Sequence, residues 1–354
     1  MNYGIFNCKN NLNGPALASQ ACSHSSYRID CIDAGTDQCP CYLALTGDCL
    51  TCTRLQGEEY CDCKWQGVCI YNEFIQGGRR INNPRKEFDA TIIEIKHYME
   101  DLVVYVLHVG KGFAIKASIP GTYLFIKSSE ASSYYDIPIS VMDVDVEKGL
   151  IHIAVKVISA KTKLLLQEKE KLIIRGPYRN GVLGIHDIIK MSSRDQKVLI
   201  IAKGIGLAPG VLASKTLALK NQVDFIIDSE KISKDLVSDY LNEKGQEPIR
   251  DDKAPEEGIL KYLSLSEGSA EMEIGELLKN RQYQSVLILA SDYYIQTLGQ
   301  LVKQKLPNAH IAVSNNFHIC CGEGICGACS HEIEGGKTLK MCKCQISGKE
   351  ILCQ

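Results

Sequence analysis

The densest chemistry in this chain lies near its C-terminus, in the stretch His318 to Cys344, HICCGEGICGACSHEIEGGKTLKMCKC. Cys321, Cys326 and Cys329 have the x4 and x2 spacing by which one tight loop offers three thiolates to a pair of sulfide-bridged irons. Glycines 322, 324 and 327 let that loop curl and let backbone N–H groups turn toward sulfur. A 2Fe–2S cluster needs a fourth thiolate after a short excursion. Cys342 follows after twelve residues, with Cys344 in reserve and Cys320 and Cys353 as spectators. Structural zinc favours paired Cys-x2-Cys units, and only one such unit occurs in this stretch.

A second block, CPCYLALTGDCLTCTRLQGEEYCDCKWQGVC, places Cys39, Cys41, Cys49, Cys52, Cys61, Cys63 and Cys69 within 31 residues. Cys49-x2-Cys52 could clasp a metal from one turn, with Cys61, Cys63 and Cys69 closing the site from another. A second iron–sulfur cluster, 4Fe–4S or 2Fe–2S, and a structural zinc are both compatible with this density. Trp65 reads as local packing. Cys8, Cys22, His24 and Cys31 are too scattered to interpret, and no histidine pair has ligand-like spacing.

Of the seventeen cysteines, ten lie between Cys8 and Cys69 and seven between Cys320 and Cys353. The 250 residues between these groups contain none. Disulfide scaffolds are small and secreted, so two dense ends around a cysteine-free middle point to metal or redox work in a reducing compartment. The first residues lack the cationic and apolar regions of a signal peptide. No run has the roughly 18 apolar residues of a membrane span. The net charge of −2, without a basic stripe, argues against a nucleic-acid partner. A cytoplasmic protein is expected.

The elements that must position these cysteines are legible in outline. From Phe88 to about Ile174, short apolar runs such as ATIIEIKHY, LVVYVLHV, GTYLFIKS, LIHIAVKVI and KLIIRGP read as strands of a small antiparallel barrel. From Lys197, strands VLIIA, VDFIID, SVLILA and HIAVS alternate with helical stretches, the pattern of a parallel sheet with helices on its faces. The expected organisation is an irregular segment 1–38, a Cys-rich module 39–84, a barrel 85–182, an α/β nucleotide-binding domain 183–310 and a cluster module 311–354. The charged stretch 230–257 reads as a solvated loop.

Barrel, parallel sheet and terminal cysteine loop together resemble the ferredoxin–NADP reductase superfamily. Residues 85–354 are similar to the electron-transfer subunit of dihydroorotate dehydrogenase and to the small subunit of the electron-bifurcating NADH-dependent ferredoxin:NADP oxidoreductase. The resemblance implies FAD on the barrel. The family's Arg-Pro-x-Ser segment corresponds to Ile137-Pro138-Ile139-Ser140, which makes Ser140 a flavin neighbour and removes the pyrophosphate-gripping arginine. Gly-x-Gly-Thr corresponds to Ser159-Ala160-Lys161-Thr162, keeping the hydroxyl of Thr162 and adding the charge of Lys161. Gly-Pro-x-Gly-Asn-Gly becomes Gly176-Pro177-Tyr178-Arg179-Asn180-Gly181. A lost charge-assisted phosphate contact weakens binding by about 1.5–3 kcal/mol, which Lys161 and Arg179 could offset.

The family's pyridine-nucleotide loop corresponds to Lys203-Gly204-Ile205-Gly206-Leu207-Ala208-Pro209. Gly204 and Gly206 would let a pyrophosphate approach the backbone. Asp228, at the end of the next strand, suits a ribose hydroxyl and so NAD over NADP, although an exposed strand-end Asp is the commoner explanation. The resemblance implies an NAD(P)H-linked oxidoreductase subunit that passes electrons among NAD(P)H, FAD and clusters. Its partner would be a larger flavoprotein or catalytic subunit, or ferredoxin. Two alternatives stand beside it: a wiring and docking subunit without FAD or nucleotide, and a dihydroorotate dehydrogenase electron-transfer subunit.

Overall fold

The computed structural model describes residues 29–132, 136–191, 195–230, 232–241, 258–333, 336 and 338–352. Cys8, Cys22, His24, Cys353 and most of the charged stretch 230–257 lie outside them. The first described element is β1 (Asp30–Cys31), followed by α1 (Tyr42–Thr46), a 3-10 turn Thr53–Gln56 and α2 (Ile70–Gln76). These short elements enclose a small core of Ala44, Cys52, Leu55, Ile70 and Phe74.

Six strands then close a barrel: β2 (Glu87–Met99), β3 (Leu102–His108), β4 (Tyr123–Lys127), β5 (Ile137–Asp145), β6 (Leu150–Lys156) and β7 (Lys171–Tyr178). Helices α3 (Lys111–Ala117) and α4 (Ala160–Leu165) sit in its connections. Its order, β2-β3-β6-β5-β4-β7, is antiparallel throughout. Strand β3 is buried on both faces because its side chains alternate between two cores. Val103, Tyr105 and Leu107 fill the barrel, while Leu102 and Val104 join the layer shared with the next domain.

That domain has a six-stranded sheet in the order β11-β10-β9-β12-β13-β8. It runs through β8 (Val182–Leu183), α5 (Ile185–Met191), β9 (Lys197–Ala202), α6 (Leu207–Leu217), β10 (Gln222–Asp228) and α7 (Lys234–Leu241). Then come β11 (Leu260–Leu263), α8 (Gly268–Arg281), β12 (Ser285–Leu289), α9 (Asp292–Lys305) and β13 (His310–Ser314). All pairs are parallel except β8 against β13. The central strands β9 and β12 read as unbroken apolar runs because helices cover both faces. The last sheet strand continues to Ser314, past the expected boundary at 310.

The C-terminal elements are β14 (Ser330–Glu332), β15 (Thr338–Lys340), β16 (Cys344–Gln345) and α10 (Gly348–Ile351). They have no core of their own. Cys329, Leu339, Met341, Cys342 and Ile346 pack into the apolar layer on one face of the parallel sheet. Segment 29–38, expected to be irregular, contributes β1 as the antiparallel partner of β16, with Cys31 opposite Cys344. Ile32 N–H extends that ladder to the Lys343 carbonyl at 3.0 Å. Polar groups of a short strand are satisfied here by a partner at the far end of the chain, which local sequence does not reveal. Among the described residues no helix is long and apolar enough to cross a membrane.

Candidate metal centre

The cysteine loop leaves β13 at Asn315, whose amide donates to the Asn180 carbonyl at 2.8 Å. The loop then curls through glycines 322, 324 and 327, all with positive φ. Gly322 shows why no other residue serves there. Its φ is +71°, and a Cβ would stand 2.6 Å from the Phe125 ring and 2.8 Å from that of Tyr178. The β14–β15 hairpin returns the chain so that Met341 N–H reaches the Cys329 carbonyl at 3.0 Å.

This geometry brings Cys321, Cys326, Cys329 and Cys342 together. Cys342 acts electrostatically on both Cys321 and Cys329, and Cys326 on Cys321, while among the described residues no three ligating side chains are grouped as closely as a single ion needs. Backbone N–H groups also face sulfur, from Glu323 to Cys321 at 3.3 Å and from Cys342 to Cys329 at 3.4 Å. The Cys342 thiol, aided by N–H groups of the loop, brings Cys321 down to about 3 and Cys329 to about 6. Cys342 moves up for the same reason. Four converging sulfurs with N–H donors suit the thiolate set of a two-iron cluster. Cys344, the reserve ligand, is buried in β16 with its thiol 3.4 Å from Met341 Sδ. Cys320 is exposed.

A buried ionic network lies behind the loop. Lys343 is fully buried, and its Nζ stands 2.7 Å from both Asp33 Oδ2 and Glu323 Oε2. Arg85 pairs with Asp33 at 2.6 Å, and its guanidinium lies 4.4 Å from the centre of the Tyr178 ring. The Tyr178 hydroxyl donates to Glu323 Oε1 at 2.7 Å. Arg175 bonds Asp136 at 2.8 Å and the Cys321 carbonyl at 3.0 Å, and also donates to Tyr178. Three cations thus face three carboxylates, so that no charge is buried alone. None of the charged residues of this network was singled out from the sequence. Their partners are as far as 310 residues apart, and the one local hint is a lysine set between two cysteines.

The flavin-segment residues lie on the outer wall of the barrel next to this loop. In β5, Ile137 and Ile139 pack toward the barrel core, and Pro138 is exposed. Ser140 pairs in register with Tyr123, whose ring stacks on Tyr178 at 5.1 Å under the cysteine loop. Ser140 therefore sits on the strand face that leads to Cys321. The phosphate segment fits less well. Thr162 is buried and its hydroxyl accepts from the N–H of Ile158 at 3.1 Å and of Ser159 at 2.9 Å. That capping box starts α4, and Lys161 lies in its first turn. A Cβ on Gly176 would meet Leu124 at 2.8 Å, and the Pro177 carbonyl accepts from Arg85 at 3.1 Å. This pair therefore belongs to the packing of barrel against network.

The glycine loop after β9 is closed by its own charges. A Cβ on Gly206 would lie 2.0 Å from the Leu289 carbonyl, so only glycine lets the turn rest on the end of β12. Gly204 faces open space. Lys203 Nζ bonds Asp228 at 2.8 Å, Ser266 at 3.2 Å and Glu230 at 3.4 Å. Asp228 is buried rather than exposed, and its second oxygen accepts from Leu265 N–H at 3.0 Å. Its carboxylate is engaged within the protein, which corrects the reading of a solvated strand end. Beside Gly204 and Ile205, a small pocket lined by Met99, Leu102, Met142 and Ala208 runs between barrel and sheet.

No family model matches the chain. It is 27% identical over 246 residues to the electron transfer subunit of dihydroorotate dehydrogenase B (NAD(+)) from Clostridium acetobutylicum, covering 68% of this chain and 87% of that one. The subunit of the same description from Fusobacterium nucleatum is 23% identical over 251 residues, with 68% and 88% covered. Among solved structures, an NADH-dependent reduced ferredoxin-NADP oxidoreductase, described in connection with flavin-based electron bifurcation, superposes with a TM-score of 0.53. Identity there is 21%, over 74% of this chain and 88% of the other. The chain has the ferredoxin–NADP reductase fold.

The cysteine-rich N-terminal block stands beside this reductase-type core. Leu43 of α1 lies against Gly324 of the cysteine loop, where a Cβ would meet it at 2.6 Å. Cys39, Cys41 and Cys49 line one pocket together with Cys31, which the sequence left uninterpreted. Cys52 is buried in the small core, and its N–H reaches Cys49 Sγ at 3.4 Å. Cys61 and Cys63 lie 3.7 Å apart, and Cys69 precedes α2. Trp65 packs locally, its indole N–H donating to the Val68 carbonyl at 2.9 Å.

Proposed function

We propose that the chain is an electron-transfer subunit of a larger redox complex, with a 2Fe–2S cluster held by Cys321, Cys326, Cys329 and Cys342. The observation that carries this reading is the convergence of these four sulfurs in a loop seated on the outer wall of the barrel. Relatives named as electron transfer subunits support the role, and the partner would be a flavoprotein or catalytic subunit, or ferredoxin.

Bound on the β5 face, FAD would take two electrons as a hydride from NAD(P)H and release them singly. Ser140 would orient the edge of its ring, and Tyr123, Phe125 and Tyr178 would separate it from bulk water. Lys161 would stand toward the pyrophosphate. Lys343, Arg85 and Arg175 are matched there by Asp33, Glu323 and Asp136, so the network would hold the loop without adding net charge beside it.

A second reading has an observation of its own. The Thr162 hydroxyl is engaged in a cap and Lys203 is locked on Asp228, as expected of a wiring subunit that uses neither FAD nor nucleotide. Anoxic purification followed by flavin, iron and sulfide analysis separates the two. One FAD per chain and NADH-driven bleaching of the cluster absorbance support the first. Cluster without flavin supports the second, and a chain without iron or sulfide rejects both.

A further inference from the structure

Four cysteines of the N-terminal region come from three separate pieces of chain. Cys31 is in β1, Cys39 and Cys41 precede α1, and Cys49 lies in the turn after it. All four line one pocket with Asp33. Its remaining wall is mainly apolar, with Leu43, Ala44 and Ile70. Thiols spread around a volume differ from thiols gathered at a point. Among the described residues no three His, Cys, Asp or Glu side chains are grouped as a single ion would need. A zinc ion requires that close tetrahedron, whereas a cubane presents four irons to four separate thiolates.

Asp33 on the pocket wall is neutralised by Lys343 at 2.7 Å and Arg85 at 2.6 Å, so its charge is not left to oppose the thiolates. The site is also rigidly placed, because β1 is paired with β16 and Leu43 is fixed against the C-terminal loop.

We infer that Cys31, Cys39, Cys41 and Cys49 hold a second iron–sulfur cluster, of the 4Fe–4S type. It shares no ligand with the C-terminal centre and stands or falls separately from it. The test uses the full chain purified without oxygen and analysed for iron, sulfide and zinc, with EPR after dithionite reduction. About six irons per chain are expected when both clusters are present. Cys31→Ser and Cys49→Ser should each lose about four irons and the cubane signal while keeping the two-iron spectrum. That retained spectrum also reports folding, because β1 and the C-terminal loop belong to one packed unit. Cys342→Ala should do the reverse and keep about four irons. If that C-terminal assignment is wrong, the wild type holds about four irons, and these are still lost in Cys31→Ser. Full iron in both Cys31→Ser and Cys49→Ser overturns the assignment. So does zinc in place of the extra iron, or loss of the cubane in Cys61→Ser but not in Cys31→Ser.

Discussion

Two glycine-containing loops of this molecule, each entered from the end of a parallel strand, are finished in opposite ways. In the loop after β13, sulfurs face one another and backbone N–H groups, and the nearby charges are balanced outside the sulfur set. In the loop after β9, the single cation is bound to Asp228 and the turn is clamped on Leu289. The first leaves its reactive atoms directed at a common space, while the second satisfies its polar groups from within. Glycine spacing alone does not distinguish these cases. The partner of each charge does.

The comparison is tested most severely at the sulfurs. Cys342→Ala should remove both irons of the C-terminal centre and its visible absorbance, whereas Cys344→Ala should keep them; equal loss in both would erase the distinction between ligand and neighbour. Next in size is Lys343→Met, which removes the cation shared by Asp33 and Glu323 and leaves them to Arg85 and the Tyr178 hydroxyl; it should cost about 3 kcal/mol in denaturant unfolding. Loss of under about 1 kcal/mol would mean that the network is not a buried one.

The same network gives a pH dependence. Burial raises the Asp33 carboxyl, but Lys343 and Arg85 outweigh it and hold the group below its usual range. A carboxyl depressed by folding contributes stability above its unfolded value near 3.9. That stability is lost as pH falls through the lower, folded value. Acid unfolding should therefore steepen below about pH 4 and be shallower in Asp33→Asn.

Gly322→Ala meets both positive φ and two aromatic rings and should cost about 2–4 kcal/mol, read as a shift in melting temperature. The smallest effect belongs to the nucleotide loop. Lys203→Gln and Asp228→Asn should show a coupling energy of about 1–2 kcal/mol in a double-mutant cycle, and additivity would reopen the loop as a phosphate site.

Much of the architecture was legible because it is written locally. Barrel strands announce themselves as short apolar runs, and β9 and β12 as continuous ones. The glycine-rich turn that carries Cys321, Cys326 and Cys329 was legible because its spacing is local. Long-range complementarity was hidden. Cys31 looked isolated until β1 found β16, and Asp228 looked exposed until Lys203 was seen to cover it. The roles of Asp33, Arg85, Glu323 and Lys343 exist only in the folded chain, since no element of sequence pairs them.

The strand pair β1–β16 also bears on how the chain folds. Cys31 and its partner Cys344 are separated by nearly all of the described residues, so this short ladder closes over a very long stretch of chain. Two strands of two residues each cannot offset that closure alone, so β1 is held only once the barrel and the parallel sheet have brought its partner into place.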